Sequence, residues 1–394
     1  MSPEKSKNDQ ATNSAAAALA DCEDLMLCIL ARLPLKSIIR FKFVCKSWNH
    51  LLSTQEFVKM HYKLSTESKN QSFLVHRLDK DGRNTISVFN IDSNRKKARN
   101  LYNPLNFTCV EINIVGCCNG LVCIKSGQRL VLWNPAMSLS KTVLLLTQYR
   151  YSRSESLGFG YHAESYAFKV VRIILKKERR LMCVSCVEVY SLNSDSWTTI
   201  DLGFQFSELW FNWIKNSATV NGNPYWVGKD AEMNDVLVCF DMAKLVFKIV
   251  PLSSLDYNKA KQDIEFVDLN GSLGALVVTF ESQKGFYSNL WENEKNIEYV
   301  DFWVFDEGEQ IWTKSHSVGP IEVKMTRVFR CLNDGKILSK RPKGQLIVFN
   351  SETKCVKDFF NVEHDLKIYD YTASLAYIEG MEKVTRHAWR TLKE

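Results

Sequence analysis

The sequence predicts a multidomain α+β protein: a small N-terminal three-helix module, then a long all-β domain closed as a propeller of about six blades. Three observations carry this. Apolar residues recur at helical spacing between residues 24 and 61. Beyond residue 68 they give way to short runs separated by Gly, Asn, Asp and Ser. Within that second stretch one strand-and-turn pattern returns roughly every 50 residues.

In the first helix, Leu25, Cys28, Ile29 and Leu33 share one face. Glu23 and Asp24 place negative charge in its first turn, which suits the positive end of the helix dipole. Pro34 disfavours the α conformation at Leu33 and ends that helix. Ile38, Phe41, Cys45 and Trp48 form the stripe of a second helix. Ser53 with Glu56 makes a capping box for a third, which carries Phe57, Met60 and His61. A module of roughly 40 residues is near the lower limit for a stable core, so its stripes gain by burial against a partner. Packing against the rest of the chain is the alternative use of such stripes.

In the β segment, Phe73-Leu-Val75, Ile86-Ser-Val-Phe89, Leu121-Val-Cys-Ile124 and Leu130-Val-Leu-Trp133 read as strands. The recurring marker is a strand that ends in Asn or Asp: Phe89-Asn90, Trp133-Asn134, Leu192-Asn193, Phe240-Asp241, Phe305-Asp306 and Phe349-Asn350. The mean spacing is about 52 residues. Asn119-Gly120, Asn221-Gly222, Asn270-Gly271 and Asn333-Asp-Gly335 supply an earlier turn. Asn-Gly favours the tight type I′ hairpin because both residues take positive φ. Two hairpins per unit at this period predict a propeller, with a β-sandwich as the alternative. Ring closure would pair the C-terminal run 369–378 with the first strands near 73–89 and remove two exposed sheet edges. Residues 207–214 are apolar on both alternating faces and read as a core strand.

The 394 residues suffice for two or three domains, and 45% hydrophobic with 12% aromatic content supports a large core. The expected boundaries are a disordered leader (1–20), the helical module (21–65), the β domain (70–378) and a basic tail (379–394). No apolar run is long enough for a membrane helix, and no membrane partner is expected. With no secretory signal read at the N-terminus, the 12 cysteines are expected to be reduced core residues. The formal charge of +7 comes from scattered basic runs, so solvated hairpin ends are favoured over nucleic-acid binding.

Asp24-Leu25, Ile29-Leu30-Ala31-Arg32-Leu33-Pro34, Lys36-Ser37, Arg40-Phe41, Val44-Cys45-Lys46, Trp48, Phe57 and His61 stand at the spacing of the F-box pattern, and the module resembles an F-box. It departs where Asp21-Cys22 replaces the usual Leu-Pro and Cys28 the usual Glu, which would loosen the first turn and weaken docking modestly. Gly116-Cys-Cys-Asn-Gly-Leu-Val-Cys123, Leu132-Trp-Asn-Pro135, Val189-Tyr-Ser-Leu-Asn-Ser-Asp-Ser-Trp197 and Val220-Asn-Gly-Asn-Pro-Tyr-Trp226 are similar to the kelch-like F-box-associated interaction domain of plants.

The resemblance implies a non-catalytic substrate receptor, cytoplasmic or nuclear, of an SCF-type cullin-RING ubiquitin ligase. Its partners would be a Skp-type adaptor, the cullin and RING subunits, and an unidentified protein target. Some relatives of this type sit at the self-incompatibility locus and recognise ribonucleases; others recognise immune receptors or other regulators. The residues implied for adaptor docking are Leu25, Ile29, Leu30, Leu33, Pro34, Ile38, Phe41, Val44, Cys45, Lys46 and Trp48, inserted partly into the module's own core and partly into the adaptor groove.

No catalytic constellation and no cofactor site is read from the sequence. Cys183-Val-Ser-Cys186 lacks the second ligand pair zinc needs, and in a regular strand its thiols point to opposite faces. Asp79-Lys-Asp-Gly82 lacks the bidentate Glu of a calcium loop. His162 near Glu164 could act as a base, but no nucleophile is read beside it and an ordinary surface histidine is expected. The repeat lengthens at 147–156, with Tyr149, Arg150, Tyr151 and Arg153, and at 281–298, with Phe286, Tyr287 and Trp291. Aromatics and arginines in loops on a rigid scaffold suit target recognition, while packing under their own loops is the plainer use. Two other functions stand beside the ligase subunit: an F-box scaffold acting outside a ligase, and a propeller enzyme using its central channel.

Overall fold

Each described Asn-Gly pair makes the turn between the first and second strand of a propeller blade. Asn119 and Gly120 take φ of 44° and 77°, Asn221 and Gly222 48° and 76°, and Asn270 and Gly271 55° and 86°. These are type I′ turns, matched to the right-handed twist of the strands they join. The computed structural model describes residues 24–67, 72–78, 83–91, 98–101, 104, 112–145, 154–162, 164–178, 181–201, 210–211, 216–258, 261–281, 296–332, 335–361 and 366–384.

The β domain is a six-bladed propeller. Blade 1 holds Leu366–Asp370, Ser72–Leu78, Asn84–Asn90 and Arg99–Asn100 in spatial order. Blade 2 runs from Asn113–Cys118 to Leu139–Leu144, and blade 3 from Ser154–His162 to Ser196–Ile200. Blade 4 runs from Asn216–Val220 to Val246–Pro251, blade 5 from Gln262–Leu269 to Ile311–Val318, and blade 6 from Arg327–Cys331 to Val356–Asn361. Within 207–214, the described strand is Trp210–Phe211, which bridges blades 3 and 4 into one continuous sheet.

The Asn/Asp markers end the third strands. In blades 2, 4, 5 and 6 their side-chain oxygen caps the turn into the fourth. Asn134 Oδ1 accepts from Ala136 and Met137 N–H (3.0 and 3.1 Å), and Asp241 Oδ1 from Ala243 and Lys244 (both 3.0 Å). Asp306 and Asn350 repeat this in blades 5 and 6. In blade 3 the third strand ends at Ser191, two residues before the expected Asn193. There Tyr190 Oη donates to Asp195 instead.

Ring closure pairs Leu366–Asp370 with Ser72–Leu78, Phe73 lying opposite Asp370. Of the run 369–378 only its start enters the sheet. Polar contacts then join every blade to the next around the channel. Lys367 Nζ donates to Asn113 Oδ1 (3.0 Å), Lys125 pairs with Glu155, and Tyr161 N–H donates to the Gly222 carbonyl (3.1 Å). Asn221 donates to the Gly271 carbonyl, Arg327 to Glu265 (3.4 Å) and Arg330 to Asp370 (3.0 Å).

The helical module contains α1 (24–30), α2 (Leu35–Phe41), α3 (Lys46–Leu51) and α4 (Gln55–Glu67). The stripe expected for one second helix crosses a break. Phe43 and Val44 N–H close short bonds to Arg40 and Phe41 carbonyls (both 3.0 Å), and Cys45 is extended (φ −158°, ψ 168°). Helix α1 likewise ends at residue 30 in a tight turn rather than running to Leu33. The cap of α4 is Thr54, whose Oγ1 accepts from Phe57 N–H (3.3 Å), one residue past the expected Ser53.

The module's core is completed from the other end of the chain. Leu30, Ala31, Ile38, Leu52 and Phe57 cluster with Leu375, which is 2% exposed. After blade 1, residues 371–378 run as a strap across blade 2. Fully buried Asn134 donates through Nδ2 to the Ser374 and Ala376 carbonyls (3.0 and 2.8 Å). A Cβ on Gly120 would lie 2.2 Å from Ser374 Cβ, so only glycine lets the strap lie this close. Residues 379–384, which the sequence places in a basic tail, pack on blade 2, where Glu382–Lys383 pair with Leu139–Leu144. The 1–20 leader and residues 385–394 lie outside the described residues.

His61, 2% exposed, braces the α1–α2 corner. Its Nε2 sits 3.0 Å from the Leu33 carbonyl, so Nε2 carries the proton and donates. Burial pushes its pKa below the ordinary value. Neutral His61 therefore supports the fold at neutral pH, and this contribution is lost as pH falls below about 6.5, where the unfolded chain takes up the proton more readily. Two outcomes are expected. Leu375→Ala should lower unfolding stability by about 2–4 kcal/mol in urea titrations. Melting temperature should fall between pH 7.5 and pH 5.5, and His61→Gln should flatten part of that slope.

Candidate functional site

Helix α1 splits its apolar residues between two sides. Leu30 and Ala31 face the core, with Met26 and Leu27 half-buried beside them. Leu25 and Ile29 are 62% and 56% exposed, and Cys28 between them is exposed. The break between α2 and α3 adds Phe43 at 84% and Val44 at 64%, followed by exposed Cys45 and Lys46. Pro34 is exposed at the N-cap of α2, where its fixed φ of −57° sets the entry to that helix.

Thus Leu25, Pro34, Ile29, Val44, Cys45 and Lys46 lie on the outside, while Leu30 and Ile38 belong to the core. Leu33, Phe41 and Trp48 are half-buried, the last two stacked edge to face with centroids 5.5 Å apart. Phe43 was not singled out from the sequence. It lies off the helical stripe, and only the break at residues 42–45 turns it outward.

The propeller does not cover these side chains. It meets the module through other elements: Leu375, Met137 and helix α4. Lys59 of α4 donates to Tyr166 Oη (3.2 Å), and burial beside Cys117 and Cys118 drives the Tyr62 pKa upward. Both contacts are with the face that carries the first-to-second-strand turns. Full burial of a large aliphatic or aromatic side chain is worth about 1.5–3 kcal/mol, so the four left exposed represent a large share of burial that the module does not use internally.

The face opposite the module carries the second-to-third-strand loops and the connections between blades, because successive antiparallel strands reverse direction. The segment 146–153 connects blade 2 to blade 3, and 282–295 joins the second and third strands of blade 5. Both leave from this far face. Tyr149, Arg150, Tyr151, Arg153, Phe286, Tyr287 and Trp291 themselves lie outside the described residues, as does the 79–82 turn.

The central channel, about 1880 Å³, is lined by first strands, and α4 lies at one mouth. Its charged groups are largely engaged in the blade-to-blade pairs described above. Among the described residues no three His, Cys, Asp or Glu side chains are grouped to hold a metal ion. Cys183 is buried and its thiol donates to the Lys176 carbonyl (3.5 Å). A bulge between Val184 and Cys186 breaks the alternation that would have put Cys183 and Cys186 on opposite faces. Contrary to the sequence reading, a hydroxyl does stand beside His162: its Nδ1 lies 2.7 Å from Ser165 Oγ, on an exposed turn where the Glu164 side chain is 93% exposed.

Comparison with known proteins agrees with this geometry. The F-box domain matches residues 22–60, and the F-box associated beta propeller domain matches residues 83–375. Among relatives from Arabidopsis thaliana, F-box protein At3g20690 is 26% identical over 93% of this chain and 92% of its own length. F-box protein At3g07870 is 25% identical over 85% of this chain and 86% of its own length. F-box protein At5g36730 is 28% identical over 55% of this chain, and the match spans 57% of that relative. The chain belongs to the plant F-box proteins that carry an F-box associated β-propeller domain.

Proposed function

We propose that this chain is the substrate-recognition subunit of an SCF-type cullin-RING ubiquitin ligase. The observation that carries the reading is the persistence of Leu25, Ile29, Phe43 and Val44 at the surface of a module already packed on a large propeller. The exposed side chains would enter the groove of a Skp-type adaptor, while Leu30 and Ile38 hold the helices that present them. The far face would grip the target, and the chain's contribution to catalysis is then proximity, the chemistry residing in other subunits.

Two opposite faces suit that task. One end binds the ligase, the other binds the target, and the propeller sets the distance between them. A scaffold outside a ligase would use the same two faces and is separated by a ubiquitylation assay with a captured target. A channel enzyme is disfavoured because the polar groups of the channel already hold blades together. Among the described residues no helix is long and apolar enough to cross a membrane. Cytoplasm or nucleus, where the ligase operates, is the expected compartment.

Co-purification with the adaptor tests the reading. Val44→Asp and Phe43→Ser should each weaken adaptor binding by at least about tenfold in calorimetry, with melting temperature unchanged. Adaptor affinity indifferent to both would reject the docking face. Replacing 146–153, which leaves the far face between blades 2 and 3, by a short Gly/Ser turn should weaken target capture at least about tenfold and leave adaptor affinity intact.

A further inference from the structure

The far face of the propeller is divided by charge. In blades 6, 1, 2 and 3, contiguous around the ring, the far-face strand ends carry Lys340, Arg77, Arg83, Arg129, Lys176 and Lys177. Glu155 and Asp201 lie in the same sector: the Glu155 carboxylate is neutralised by Lys125 and by Arg172 Nε at 2.7 Å, and Asp201 stands exposed at the end of the fourth strand of blade 3, where the six cations outnumber it. In blades 4 and 5 the equivalent positions carry Asp230, Glu232, Asp263 and Glu281. Lys229 there is tied to Asp235 at 2.8 Å, and Lys261 is the cation left beside them among the groups named.

We propose that the basic sector is the docking surface for an acidic protein segment bearing apolar side chains. The inference rests on the substrate-receptor reading and adds the chemistry of the target. Like charges gathered over four blades raise the potential over one half of the face and steer an oppositely charged partner there. The acidic half repels the same partner and fixes its register. Two apolar side chains lie inside the basic sector: Leu144, 58% exposed and paired across from Arg129, and Leu78, 39% exposed and next to Arg77. Those side chains favour a peptide over a phosphate backbone, which would gain nothing from them.

The test uses the full chain with its adaptor. A fluorescein-labelled peptide of Glu, Asp and Leu is compared by anisotropy with its counterpart in which Lys and Arg replace the acids. The acidic peptide should bind and the basic one should not. The charge reversal R83E/R129E/K177E should weaken binding by at least about tenfold, and added salt should do the same. D230K/E232K should not weaken it. Should the triple variant fail to fold, K177E alone with a salt titration carries the test. Equal affinity for both peptides, or no response to reversal, overturns the inference. An oligonucleotide that binds tighter than the acidic peptide and loses affinity in the same variant replaces it with nucleic-acid binding. Adaptor binding is measured on the same samples. Its loss in wild type would sink the ligase reading, whereas its retention with no peptide binding would sink only this one.

Discussion

Leu375 occupies the core of the F-box although more than three hundred residues separate it from that domain in sequence. The fold depends on this contact. The F-box contributes Leu30, Ala31, Ile38, Leu52 and Phe57 to a cluster too small to stand comfortably alone. The strap that supplies Leu375 is held by Asn134, whose amide donates to two strap carbonyls while its oxygen caps the next turn. One buried side chain therefore ties the propeller's second blade to the strap whose Leu375 enters the F-box core. Its hydrogen bonds lie in a dry environment, where an unmade bond is costly and a made one specifies geometry.

That arrangement resolves a conflict of demands. A small helical domain needs more apolar burial than it can generate internally, yet a docking domain must leave apolar surface uncovered. Here burial is supplied from below, by the strap and α4, and the outward residues of α1 and of the α2–α3 break stay exposed. Docking the F-box on one face of the propeller also leaves the opposite face uncovered by it. The alternating strand directions send both lengthened connections there, away from the F-box.

Much of the propeller is legible in the sequence because its turns are chemical. Asn-Gly announces a type I′ turn, and an Asn or Asp at a strand end announces a capped one. The marker drifts in blade 3, where Ser191 stands at the equivalent position and Tyr190 Oη donates to Asp195 across the turn. The family motifs also acquire physical causes. Gly120 and Asn134, both within the strings that resemble the F-box-associated pattern, form the bed of the strap. The rest was hidden for equally physical reasons. Helical spacing reads through the break at residues 42–45, because Ile38, Phe41 and Trp48 keep a plausible stripe on either side of it. Leu375 gives no local signal of its distant partners. The bulge beside Cys186 is a one-residue event that alternation alone does not reveal.

Hydrogen exchange on the full chain, with and without the adaptor, tests the central claim most directly. The account predicts that α4 and residues 371–384 are already protected in the chain alone. Adding adaptor should then newly protect residues 24–46 and leave the propeller unchanged. Protection of 24–46 in the chain alone that adaptor does not increase, together with rapid exchange of the strap, would contradict it.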